Sequence, residues 1–122
     1  MIKFHYQDGY KIAEETSLSP IISSVDDAVD MLGNLAFDNC SAIILKESNL
    51  HPDFFRLHSG LAGDVLQKFS NYNFRLAIIG DFSKYQSKSL QDFIRECNKG
   101  NRVYFLESID EALLKMKKPG TR

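Results

Sequence analysis

The sequence predicts an α/β domain: a mixed sheet of about five strands with an N-terminal hairpin and four helices. Three observations lead there. The short apolar runs "SAIILKE", "FRLAIIGD" and "RVYFLE" have the length and β-branching of buried strands. Stretches with helical spacing separate them, and strands alternating with helices of about 10–15 residues argue for parallel, right-handed crossovers. Asp8-Gly9, between two short alternating runs, suits the positive φ angles of a hairpin turn, which adds an antiparallel pair.

The elements follow in order. "IKFHYQ" and "YKIAE" form the hairpin over residues 2–14. "ETSLSPII" contains Pro20 and reads as an irregular connection or short edge strand. "SSVDDAVDMLGNLAFDN" is a helix with Ser24 as N-cap and Asp26 and Asp27 in the positive first turn. Its apolar face is Val25, Ala28, Val29, Leu32 and Leu35 or Ala36, and Asn39 ends it. "SAIILKE" is a strand, and "SNLHPDFF" a loop turning at Pro52. A second helix starts at Ser59, with Leu61, Ala62, Val65, Leu66 and Phe69 inward. "FRLAIIGD" is a strand closed by Gly80. "SKSLQDFIRECNKG" is a helix buried through Leu90, Phe93, Ile94 and Cys97, and Gly100 is expected in a left-handed C-terminal position. After the strand "RVYFLE", Ser108 and Glu111 form an S-x-x-E capping box ahead of Ala112, Leu113 and Met116. The division is one domain over 1–118 and a tail over 119–122.

Bulk properties narrow the function classes. The chain has 122 residues, 43% apolar and 25% charged, with a formal net charge of −1. No global basic field exists for nucleic acid or anionic membrane, and Lys115, Lys117, Lys118 and Arg122 read as a solvated basic tail. No run approaches the roughly 18 apolar residues of a membrane span, and no secretory signal opens the chain. A cytoplasmic protein is expected, with Cys40 and Cys97 as reduced thiols.

Catalytic motifs are incomplete. "LHSGLAG" lacks the glycine two places before serine that a nucleophile elbow needs. "GLAGD" has the wrong spacing for a P-loop or dinucleotide fingerprint. His5, His51 and His58 make no metal-ligand spacing with either cysteine. No cofactor and no metal are expected, and an enzyme of unknown reaction is the third-ranked reading.

Two stretches hold the candidate sites. "HSGLAGD" opens the second helix, where Ser59, Gly60 and Gly63 either cap and ease packing or leave backbone N–H groups open to an anion or partner. Gly80, Asp81, Ser83, Tyr85, Ser87 and Lys88 follow the carboxyl end of a strand, where ligands of open parallel sheets sit. A small anionic or nucleotide-like ligand held by Gly60, Gly63 and Lys88 is one expectation. Phe54, Phe55 and Leu57 form a candidate surface for a protein partner or self-association, with core packing as the alternative.

"AIILKESNLHPDFFRLHSGLAG" and "VYFLESIDEALLKM" resemble STAS domains, the fold of bacterial anti-sigma factor antagonists. "FFRLHSGLAGDVLQKFSNYNFRLAIIGDF", "SKSLQDFIRECNKG" and "VYFLESIDEAL" are similar to a bacterial family, "domain of unknown function 4180", over nearly the whole chain. The STAS resemblance implies a non-catalytic regulatory or interaction module. It also implies that Ser59 matches the serine phosphorylated by a partner kinase, with Gly60 and Leu61 matching the glycine and leucine after it. Leu57 stands where the antagonists carry aspartate.

Overall fold

A computed structural model describes residues 1–117. Lys118 and the tail expected over 119–122 lie outside the described residues. The sheet contains β1 (Ile2–Gln7), β2 (Tyr10–Glu15), β3 (Ala42–Lys46), β4 (Arg75–Ile79) and β5 (Val103–Leu106). The helices are α1 (Val25–Phe37), α2 (Leu61–Asn71), α3 (Lys88–Lys99) and α4 (Ile109–Lys115). Strand order is β1-β2-β3-β4-β5, antiparallel only between β1 and β2. Asp8 and Gly9 both take positive φ, 51° and 79°, as the two-residue hairpin requires.

Each parallel crossover steps to the next strand in the same direction. Crossovers of one hand that never reverse put all their helices on one face. Accordingly Leu32 of α1, Val65 and Phe69 of α2 and Leu90 of α3 share a core with Ile43, Leu45, Leu76, Ile78 and Phe105 of the sheet. The alternate strand residues Ile12, Ala42, Ile44, Ala77 and Tyr104 point the other way, and Ala112 of α4 and Met116 just past it cover them. Each large side chain fully buried in this way contributes about 1.5–3 kcal/mol.

Arg75 fastens that last helix. Its guanidinium donates to the carbonyls of Lys115 (3.2 Å) and Lys117 (2.7 Å), placing a cation at the negative end of α4. Ser108 accepts from the Glu111 N–H at the other end. The open edge of β5 is also met: the Asn98 side chain accepts from the Phe105 N–H (2.8 Å) and donates to the Phe105 carbonyl (3.1 Å).

Local expectations fail at Gly100 and at the start of α2, and hold at other places. Gly100 is extended (φ −87°, ψ −163°), because three residues separate α3 from β5 and the chain must straighten at once. The second helix begins at Leu61, two residues after Ser59. Ala36 is exposed while Leu35 is buried. The loop after β3 is a succession of 3₁₀ turns, Glu47–Asn49, Pro52–Phe55 and Leu57–Ser59. After Glu15, the last residue of β2, "TSLSPII" remains irregular apart from one parallel bridge, Ile22 to Leu50. Both cysteines are free thiols, Cys40 buried and Cys97 half-buried. Burial, and then the Glu96 carboxylate, push the Cys97 thiol up.

Candidate functional site

A sheet whose strand order never reverses has no switch-point crevice. The concavity at its carboxyl edge comes instead from the long connection between β3 and α2. Asn49 organises it. Its side chain is completely buried: Oδ1 accepts from the Lys46 N–H (2.7 Å), and Nδ2 donates to the carbonyls of Ser17 (3.1 Å) and Ser19 (2.8 Å). Its backbone carbonyl accepts from Ile21 and Ile22, and the His51 N–H donates back to Ile22. The 17–22 segment is thereby stitched to the start of the β3–α2 connection.

This leaves a cleft of about 490 Å³ lined by Pro20, Ser23, Glu47, Ser48, Leu50, His51, Pro52, Phe55, Lys84 and Tyr85. Its polar centre is Glu47, the first residue past β3. One carboxylate oxygen accepts from Lys84 Nζ (2.8 Å) and the other from the Tyr85 hydroxyl. Lys46 pairs with Ile79, so Glu47 lies alongside Gly80. A Cβ on Gly80 would stand 3.0 Å from both Cβ and Oε1 of Glu47. Glycine is what lets that side chain cross the end of β4.

Tyr85 is held from two sides. Its ring stacks on Phe55 (centroids 5.2 Å apart, planes at 15°). Gln91 Nε2 donates to the carbonyls of Phe82 (2.8 Å) and Tyr85 (2.9 Å), pinning the loop to α3. Burial, then the bond to Glu47 and its charge, push the phenol well above its ordinary range, so it stays a neutral donor. His51 Nδ1 accepts from the Asp53 N–H (3.0 Å), which puts the proton of the neutral ring on Nε2.

The residues expected from sequence fall in several places. Only Tyr85 and Phe55 line the cleft. Ser59 is exposed; its hydroxyl donates to the Asp53 carbonyl (2.7 Å) and accepts from the Leu61 N–H (3.2 Å). Gly60, not Ser59, is the N-cap of α2, and it is left-handed at φ 82°. Neither Gly60 nor Gly63 eases packing, since a Cβ at either would meet nothing within 4 Å. Asp81 accepts from the Ser83 N–H (3.1 Å) and hydroxyl (2.6 Å), and these bonds hold its carboxyl below the usual range. Ser87 caps α3 through the Leu90 N–H. Lys88 pairs with Asp92 along its own helix (2.9 Å). Phe54 and Phe55 are 1% and 5% exposed, so the core takes both rather than a partner surface; Leu57 is half-buried against the same core.

A family model described as "Domain of unknown function (DUF4180)" matches residues 7–116. The chain belongs to this family. The match takes in both halves of the cleft, the β3–α2 connection and the loop after β4. No curated protein and no solved structure matches this DUF4180 chain, so the STAS resemblance gains no structural neighbour. No helix among the described residues is long and apolar enough to cross a membrane, and no group of three or more metal-ligating side chains occurs among them.

Proposed function

We propose that this DUF4180 domain is a non-catalytic module that binds a small polar ligand in the Glu47–Lys84–Tyr85 cleft. One observation carries the reading: a concavity within the usual range of ligand sites, about 300–1,000 Å³, gathers charged, hydroxyl and aromatic groups at the carboxyl edge of the sheet. The chemistry there is that of recognition. Both Glu47 oxygens already hold donors, and Tyr85 keeps its proton, so neither is poised as a base. Lys88, Gly60 and Gly63 are not part of the cleft, which removes the basis for a strictly anionic ligand at those residues. The test is an NMR fragment screen following backbone amides. Saturable shifts should concentrate at Ser48, His51, Lys84 and Tyr85; a diverse library that leaves all of them unmoved defeats the proposal.

A second reading is a cytoplasmic bacterial regulatory module that binds a protein partner or a second copy and is switched at Ser59. The STAS resemblance supports it, and so does the exposure of Ser59 at the start of α2. A phosphate there would add about −1.5 to −2 charge and end the bond from its hydroxyl to Asp53. Intact-mass measurement of the protein from its native cell tests it. A Ser59 that is never modified, together with a Ser59→Asp variant that keeps every partner, removes it.

A further inference from the structure

We propose that the cleft takes an amino-acid-like zwitterion with an apolar side chain, an inference that rests on the ligand-binding reading above. Charge balance is the first argument. The charged lining groups are Glu47 and Lys84, one of each sign, and they already neutralise one another. A ligand with net charge would meet no unpaired counter-charge in the lining. A ligand bearing one positive and one negative group leaves the site neutral.

Donor and acceptor counts place the two groups. Lys84 gives one N–H to Glu47 and has two left. His51 accepts at Nδ1, which leaves its Nε2–H as a further donor on a residue that lines the cleft. These donors suit a carboxylate. Each oxygen of Glu47 holds one donor and has a further lone pair, which suits an ammonium. Pro20 and Pro52, both exposed, supply apolar surface for a side chain, backed by the buried Leu50 and Phe55. At about 490 Å³ the cleft lies in the lower half of the range of ligand sites, which accommodates a single amino acid.

The experiment is calorimetric titration, with amide shifts, of the full chain with L-leucine, L-methionine and L-phenylalanine. The comparison ligands are 4-methylpentanoate, which has only the carboxylate, and 3-methylbutylamine, which has only the ammonium. At least one amino acid should saturate the cleft amides, and each single-charge analogue should bind at least tenfold more weakly. Lys84→Gln, at an exposed side chain, should weaken the amino acid about tenfold. Glu47→Gln should narrow the gap between leucine and 4-methylpentanoate. Analogues that bind as tightly as the amino acid overturn the proposal. So does inorganic phosphate or AMP binding more tightly than every amino acid, although the cleft would then still be a ligand site. If fragments mark the cleft but no amino acid binds, the zwitterion fails alone; if neither binds, both readings fail.

Discussion

Gly80 and Glu47 lie side by side at the ends of β4 and β3, and the missing side chain of one is the space occupied by the other. A residue that closes a strand is thus also what admits the polar centre of the cleft. The relationship joins two segments more than thirty residues apart, and it makes the site depend on a backbone position with no chemistry of its own.

Gly80→Ala should therefore act on stability and site together. Its Cβ would meet Glu47 Cβ and Oε1 at 3.0 Å and Phe82 at 3.2 Å. Relieving that overlap should cost about 1–3 kcal/mol in urea unfolding. The amide signals of Lys84 and Tyr85 should move with it, because Glu47 is the group that both side chains hold. An alanine variant of unchanged stability and unchanged Tyr85 environment contradicts the packing described.

Asn49→Ala should cost about 2–3 kcal/mol. It removes three side-chain bonds from a completely buried site and leaves the Lys46 N–H without its partner. Hydrogen exchange should quicken at Ile21 and Ile22, whose N–H groups are held by the Asn49 carbonyl. The same loosening would lower affinity in the cleft, since the 17–22 segment supplies Pro20 to its lining.

The two glycines that open α2 should respond with opposite signs. Gly60 sits at φ 82°, where an L side chain is strained, so Gly60→Ala should destabilise by about 1–2 kcal/mol. Gly63 is helical and faces open space, so Gly63→Ala should stabilise by about 0.5 kcal/mol through the unfolded chain. Parallel denaturation curves of the two variants check this; the same sign in both would refute the assignment of Gly60 as the strained cap.

The sequence makes the fold readable where the physics is local. Asp8-Gly9 sets a turn from its own φ preferences, and Leu90 with Ile94 marks a helix face by spacing alone. Gly100 misleads because a glycine after a helix is equally compatible with an extended exit, and the nearby start of β5 selects that one. The carboxyl edge of the sheet is the right neighbourhood for the cleft, since that rule needs only strand direction. Its key residues are hidden for a different reason. Glu47, His51 and Lys84 look like ordinary polar loop residues until Asn49 fixes the 17–22 segment beside them. One usable signal exists: in parallel register, a glycine just past one strand leaves room for a long side chain just past its neighbour, and Gly80 with Glu47 is that pair.

Tyr85 supplies the pH prediction. Its folded pKa is raised by burial and by the Glu47 carboxylate that it bonds, while in the unfolded chain it titrates near its ordinary value of about 10. The neutral phenol is the form that donates, so its contribution is complete below about pH 10 and is lost as pH rises through the higher folded pKa. The Tyr85 ring-carbon NMR shifts should therefore stay those of a neutral phenol at pH values where a free phenol of ordinary pKa, about 10, has already ionised. Tyr85→Phe removes the late step and leaves Glu47 with Lys84 as its remaining partner. If Tyr85 instead titrates at the ordinary phenol value of about 10, its hydrogen bond to Glu47 does not persist in solution, and the cleft loses one of the two donors that fix its carboxylate.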